Sequence, residues 1–215
     1  MDANNRRELR TRARAWPSAL ARLLARAGVR PNQVSIASVV FAMLAAYAFH
    51  ESGRPGRNAP LLLVLAAIGI QLRLLCNMLD GLLAVEGGLK SRNGELFNEI
   101  PDRIADILIL LDAGVAVSHI RLGVTLGWTS ALLAVLTAYV RLLGGSLGQK
   151  QDFGGPMAKQ HRMFLLTVGA LGAAIESSLR GTTWSLYGAL VIIVLGSLLT
   201  LVLRTRRIAR RLQST

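Results

Sequence analysis

The chain of 215 residues carries 25 Lys and Arg against 12 Asp and Glu, a net charge of +13, yet 52% of it is hydrophobic and its mean hydropathy is +0.44. That apolar content excludes a disordered chain, and a single cysteine, Cys76, excludes a disulfide scaffold. A soluble nucleic-acid binder would match the basic balance but not the long segments almost without charge, so no nucleic-acid partner is expected. What remains is an all-α integral membrane protein with basic flanks.

In chain order, residues 1–33 come first as a basic arm. Leu9, Ala13, Trp16, Leu20, Leu23, Leu24 and Ala27 fall near one face at helical spacing, with arginines between them. Pro17 suits the first turn of a helix and Gly28 its end. This pattern predicts an amphipathic helix lying at the membrane interface; a disordered basic tail is the alternative. The arm lacks the apolar core and small-residue cleavage site of a secretory signal. Six apolar stretches follow, at 34–49, 60–84, 102–117, 122–143, 163–179 and 184–203. They predict six transmembrane helices in one domain over 34–203, followed by a basic tail over 204–215. If the loops alternate sides, 20 Lys and Arg share the side of both termini, whereas Arg54, Arg57, Arg121 and Arg180 lie opposite and Arg73 lies inside a span. That asymmetry predicts both termini in the cytoplasm.

Seven of the 12 acidic residues fall between Asp80 and Asp112. Charges inside membrane helices are costly and face polar interiors. Arg73, Asn77, Asp80 and Ala84 are spaced to share one face of the second helix, and Asn98, Asp102 and Asp106 one face of the third. The short linker between these helices makes them antiparallel neighbours whose polar faces meet. Oxygen donors without histidine or thiolate suit Mg²⁺, Mn²⁺ or Ca²⁺; a buried polar network joining two helices is the alternative. Arg73 is two turns from Asp80 and could neutralise it. Gly81, Ala84 and Gly94 are small enough to admit a ligand or a close helix. His50 and His119 are expected to be structural.

These residues resemble the signature of the CDP-alcohol phosphatidyltransferases, D-x2-D-G-x2-A-R-x8-G-x3-D-x3-D. Every gap matches without insertion: Asp80, Gly81, Ala84, Gly94 and Asp102 agree by identity, Asn77 and Asn98 stand in for the first and third aspartates, and Val85 replaces the arginine. Arg103 follows the last aspartate, and Pro31 to Ser35 is similar to the family's entry into its first helix. Asp102 and Asp106 also form D-x3-D, a second register one turn along.

The resemblance implies transfer of a phosphatidyl group from CDP-diacylglycerol to an alcohol with release of CMP, in phospholipid biosynthesis. It implies a Mg²⁺ or Mn²⁺ site at Asn77, Asp80, Asn98 and Asp102, with Asp102 or Asp106 as the catalytic base. It places the CDP moiety at Asp80, Gly81, Ala84 and Gly94. Lys159 and Arg162, at i and i+3, are the candidates for binding a phosphorylated acceptor, although flanking charge explains them too. Membrane lipids as partners, a homodimer and a bacterial inner membrane are further expectations; Gly114, Gly123 and Gly127 could seat contacts between subunits or within one. The alternative reading, carried by Asn77, Asn98 and Val85, is a non-catalytic lipid-binding or assembly protein on the same fold.

Overall fold

The computed structural model describes residues 15–86 and 94–213. These residues form seven α-helices and no strand: α1 (Ala15–Arg26), α2 (Pro31–Ser52), α3 (Ala59–Glu86), α4 (Gly94–Ala116), α5 (Gly123–Ser146), α6 (Lys159–Arg180) and α7 (Trp184–Gln213). Five of them, α2, α3, α5, α6 and α7, are long and apolar enough to cross a membrane. Their large outward side chains are apolar, such as Leu44, Leu65, Leu132, Ile175 and Leu195, as suits helices solvated by lipid.

The six long helices close into a ring. α2 packs on both α3 and α4, α4 on α5, α5 on α7, α7 on α6, and α6 on α3. The ring encloses a core that includes Phe49, Leu63, Ile70, Ile109, Leu110, Met163, Leu166, Leu186 and Leu190. Glycine sets the α4–α5 spacing. A Cβ on Gly114 would stand 2.7 Å from the Gly127 Cα, and one on Gly123 2.1 Å from the Val117 carbonyl oxygen. Small residues allow such backbone approach, so these three glycines are spent inside the subunit.

One expectation needs correction. α3 and α4 are consecutive but are not a closely packed pair. Both lean on α2, and long polar side chains wedge the gap between them. α4 starts at Gly94, so Asn98, Asp102 and Asp106 all lie on it as their spacing predicts. Acidic residues at a helix N-terminus favour the dipole. Pro101 lies inside α4; it has no N–H for the Phe97 carbonyl, which loosens the helix one residue before Asp102.

The part of the arm before residue 15 lies outside the described residues. α1 docks on α3, where Ala21 is buried with Val34, Cys76, Leu79, Leu82 and Leu83. Trp16 and Leu23 stay exposed. The tail after residue 203 continues α7 as helix to Gln213.

Candidate active site

The N-terminal halves of α2, α4 and α6 meet the C-terminal halves of α3, α5 and α7 at one end of the ring. Charged side chains from five of these helices gather there in layers. The deepest layer is Asp106 on α4. Its Oδ1 accepts from Arg73 Nη2 of α3 at 2.7 Å and its Oδ2 from Arg162 Nη2 of α6 at 2.8 Å. All three are buried. A carboxylate so far from solvent is tolerable only because two guanidiniums bond it directly. Arg73 therefore reaches across to α4 rather than along its own helix to Asp80.

One turn nearer the surface, Asp102 collects donors on both oxygens. Oδ1 accepts from Asn77 Nδ2 and lies 3.4 Å from Arg73 Nη2. Oδ2 accepts from the Lys159 ammonium and lies 3.6 Å from Arg103 Nη2. Asp80 sits to one side, its Oδ2 accepting from the Ser35 hydroxyl of α2 at 2.8 Å. Asp80 and Asp102 are close enough to repel each other, and Lys159 attracts both.

The outer layer is a rim. Arg141 of α5 holds both oxygens of Glu99 at 2.7 Å, donates to Gln151 at 2.6 Å, and lies 5.1 Å from the Phe153 ring centre. Arg204 of α7 donates to the carbonyls of Gly154 at 2.8 Å and Thr137 at 2.7 Å. Arg207 grips Asp152 at 2.9 Å. These bonds pin the segment between α5 and α6 against the ring.

Between the layers lies a cavity of about 560 Å³, a size common for small-ligand sites. Asn77, Asn98, Asp102, Lys159 and Arg162 line it, with Arg103, Arg141, Phe153 and Arg204. Asp80, Gly81, Ala84 and Gly94 are not among the described residues that line it. Glu86 belongs to α3, but its side chain, like that of Val85, lies outside what is described. The lining and its immediate partners hold Glu99, Asp102 and Asp106 against Arg73, Arg103, Arg141, Lys159, Arg162 and Arg204. The excess of cations favours an anionic occupant. Nε and Nη1 of both Arg73 and Arg162 are buried without a hydrogen-bond partner among the described residues.

The oxygen donors at Asp80, Asp102, Asn77 and Asn98 suit Mg²⁺ or Mn²⁺ only if substrate phosphates complete the shell. Consistent with that, no three His, Cys, Asp or Glu side chains among the described residues gather into a group able to hold a metal ion by themselves.

Sequence reasoning missed Ser35 as the partner of Asp80, and it counted Arg204 among flanking charges. A lone serine and one arginine in a basic tail carry no signal by themselves. His50 and His119 lie at the opposite end, bonded to Asp112 at 2.9 Å and Thr183 at 3.3 Å.

No family profile matches the chain. A phosphatidylinositol phosphate synthase of Mycobacteroides abscessus is 27% identical over 195 residues, 86% of this chain and 80% of that protein. The inner membrane protein YnbA of Escherichia coli is 26% identical over 148 residues, 68% of this chain and 69% of that protein. The fold matches the crystal structure of Mycobacterium tuberculosis phosphatidylinositol phosphate synthase with CDP-diacylglycerol bound, with a TM-score of 0.73 at 22% identity, over 89% of this chain and 92% of that one. The same enzyme in complex with manganese and citrate matches with a TM-score of 0.73 at 23% identity, over 89% and 88%. The chain is thus similar to phosphatidylinositol phosphate synthases in sequence and in fold, and its ungapped motif on α3 and α4 resembles the signature of the CDP-alcohol phosphatidyltransferases.

Proposed function

We propose that the chain transfers the phosphatidyl group of CDP-diacylglycerol to an alcohol acceptor and releases CMP, as a step of phospholipid biosynthesis. The observation that carries this reading is the motif folded at one end of the ring, with Asn77 and Asp102 bonded across the α3–α4 gap and a cation-rich cavity beside them. The acceptor hydroxyl attacks the phosphorus bearing the diacylglycerol. The new P–O bond forms as the bond to CMP breaks, and the hydroxyl proton passes to a carboxylate. Asp102 is that carboxylate in our reading: Asn77 and Arg73 fix its Oδ1, which leaves Oδ2 toward Lys159 and the cavity. Asp106 is the alternative base, but both of its oxygens are engaged by arginines. A Mg²⁺ or Mn²⁺ ion held by Asp80 and Asp102, with amide oxygens of Asn77 and Asn98, would neutralise the pyrophosphate and the departing CMP.

Gly81, Ala84 and Gly94 give the CDP moiety room on the α3–α4 side. Lys159 and Arg162 bind a phosphorylated acceptor, with Arg141 and Arg204 on the same wall. The unpartnered Arg162 donors support this, because buried N–H groups without acceptors are costly. The M. abscessus and M. tuberculosis relatives are phosphatidylinositol phosphate synthases, which favours a phosphorylated polyol. In this reading α4 is the sixth span, α1 lies at the interface, and the basic termini face the cytoplasm of a bacterial inner membrane. The homodimer rests on resemblance alone.

The test is CMP release by the purified protein with CDP-diacylglycerol, Mg²⁺ or Mn²⁺, and a panel of acceptors. Inositol phosphate and glycerol phosphate should support release, and unphosphorylated inositol and glycerol should not. No CMP with any acceptor would favour a non-catalytic lipid-binding protein, the reading suggested by Asn77, Asn98 and Val85.

A further inference from the structure

We infer that the Lys159 ammonium is a built-in counter-cation of the Asp80–Asp102 site and excludes a divalent ion until substrate phosphates arrive. This rests on the reading of that site as the metal site of a phosphatidyltransferase. Four aspartates at the motif positions would carry a charge of −4; Asn77 and Asn98 leave only the two units of Asp80 and Asp102. Asp102 is already bonded to Lys159 and Arg73 and lies near Arg103, so an incoming Mn²⁺ meets three cations around that carboxylate.

The three are not equivalent. Arg73 is anchored by Asp106 at 2.7 Å, and Arg103 has Glu99 at 3.7 Å as a second carboxylate. Among the described residues, Lys159 bonds Asp102 alone. It stands at the first position of α6, on the cavity wall, at the end of a flexible four-carbon stem. It is therefore the cation that can leave. A pyrophosphate entering the cavity supplies the negative charge that both Lys159 and a metal ion then share. Asp102 thus exchanges one positive partner for another when substrate binds, and the empty protein keeps its buried carboxylate neutralised.

The experiment titrates the full chain, purified in detergent without substrate, with Mn²⁺ and follows free Mn²⁺ by electron paramagnetic resonance. Lys159→Met should bind Mn²⁺ at least about tenfold more tightly than the unaltered protein, because a unit charge next to a ligand oxygen is removed. Lys159→Arg keeps the charge and should bind no more tightly than the unaltered protein. Adding Asp102→Asn to Lys159→Met should abolish the gain. If Lys159→Met does not fold, Lys159→Gln carries the same comparison. A Lys159→Met or Lys159→Gln protein that binds Mn²⁺ no more tightly overturns the inference. If the unaltered protein releases no CMP with any acceptor while Lys159→Met gains affinity, the transferase reading falls and the counter-cation stands. CMP release without that gain removes the counter-cation alone.

Discussion

α4 carries an aspartate toward each end, and the two ends treat it differently. At the motif end Asp106 is bonded by Arg73 and Arg162, each from a different helix and each buried. At the far end Asp112 meets His50 of α2 at 2.9 Å, and both are partly exposed. Glu51 beside them is held by Arg54 and Arg57, whose side chains are more than half exposed. The far-end pairs have at least one partner open to solvent, which screens them, so they contribute little. The motif-end pairs are buried on both sides, so water cannot replace either partner. Charge alone therefore does not mark the site: what distinguishes it is the number of helices that must come together to neutralise one carboxylate.

The comparison can be sharpened by substitution. Asp102→Asn should lower CMP release by about 10²–10⁴-fold, the usual contribution of a general base, while the protein stays folded in detergent. Activity near that of the unaltered protein would move the base to Asp106. Asp106→Asn leaves two buried guanidiniums short of a countercharge and should cost about 3–5 kcal/mol of stability, read as a lowered thermal midpoint. Gly127→Ala, between the two ends, puts a Cβ 2.8 Å from the Gly114 Cα and 2.9 Å from the Leu110 carbonyl. It should cost about 1–3 kcal/mol by overpacking and leave the motif end intact. Asp112→Asn should cost less than about 1 kcal/mol. Equal losses from Asp106→Asn and Asp112→Asn would break the comparison.

Much of this was legible in the residues, and the limits are physical. Helical spacing alone put Asn77 with Asp80 and Asn98 with Asp102, because a period of 3.6 fixes which side chains share a face. The same rule misdirected Arg73. Along its own helix Asp80 is in reach, but the nearer carboxylate belongs to α4, and only the packed ring shows that. The six apolar stretches gave the number of long helices. Gly114, Gly123 and Gly127 announced close contacts without saying whose. Arg204 could not be told from its neighbours in the tail, since a positive flank and a strap over Gly154 call for the same residue.

The order of helices around the ring has a consequence for biogenesis. Consecutive helices pack together as α2 with α3, α4 with α5, and α6 with α7, while α3 with α4 and α5 with α6 do not. The six long helices thus fall into three antiparallel hairpins, α2–α3, α4–α5 and α6–α7, and the connection between the second and the third, residues 147–158, lies at the motif end. Arg73 is made with the first hairpin and Asp106 with the second, so that carboxylate has a partner before α6 is made. Arg162 and Lys159 come only with the third. A nascent chain stalled before α6 would pair Asp106 with Arg73 alone and would lack the Lys159 and Arg162 side of the cavity. The site is completed by the last hairpin to be made.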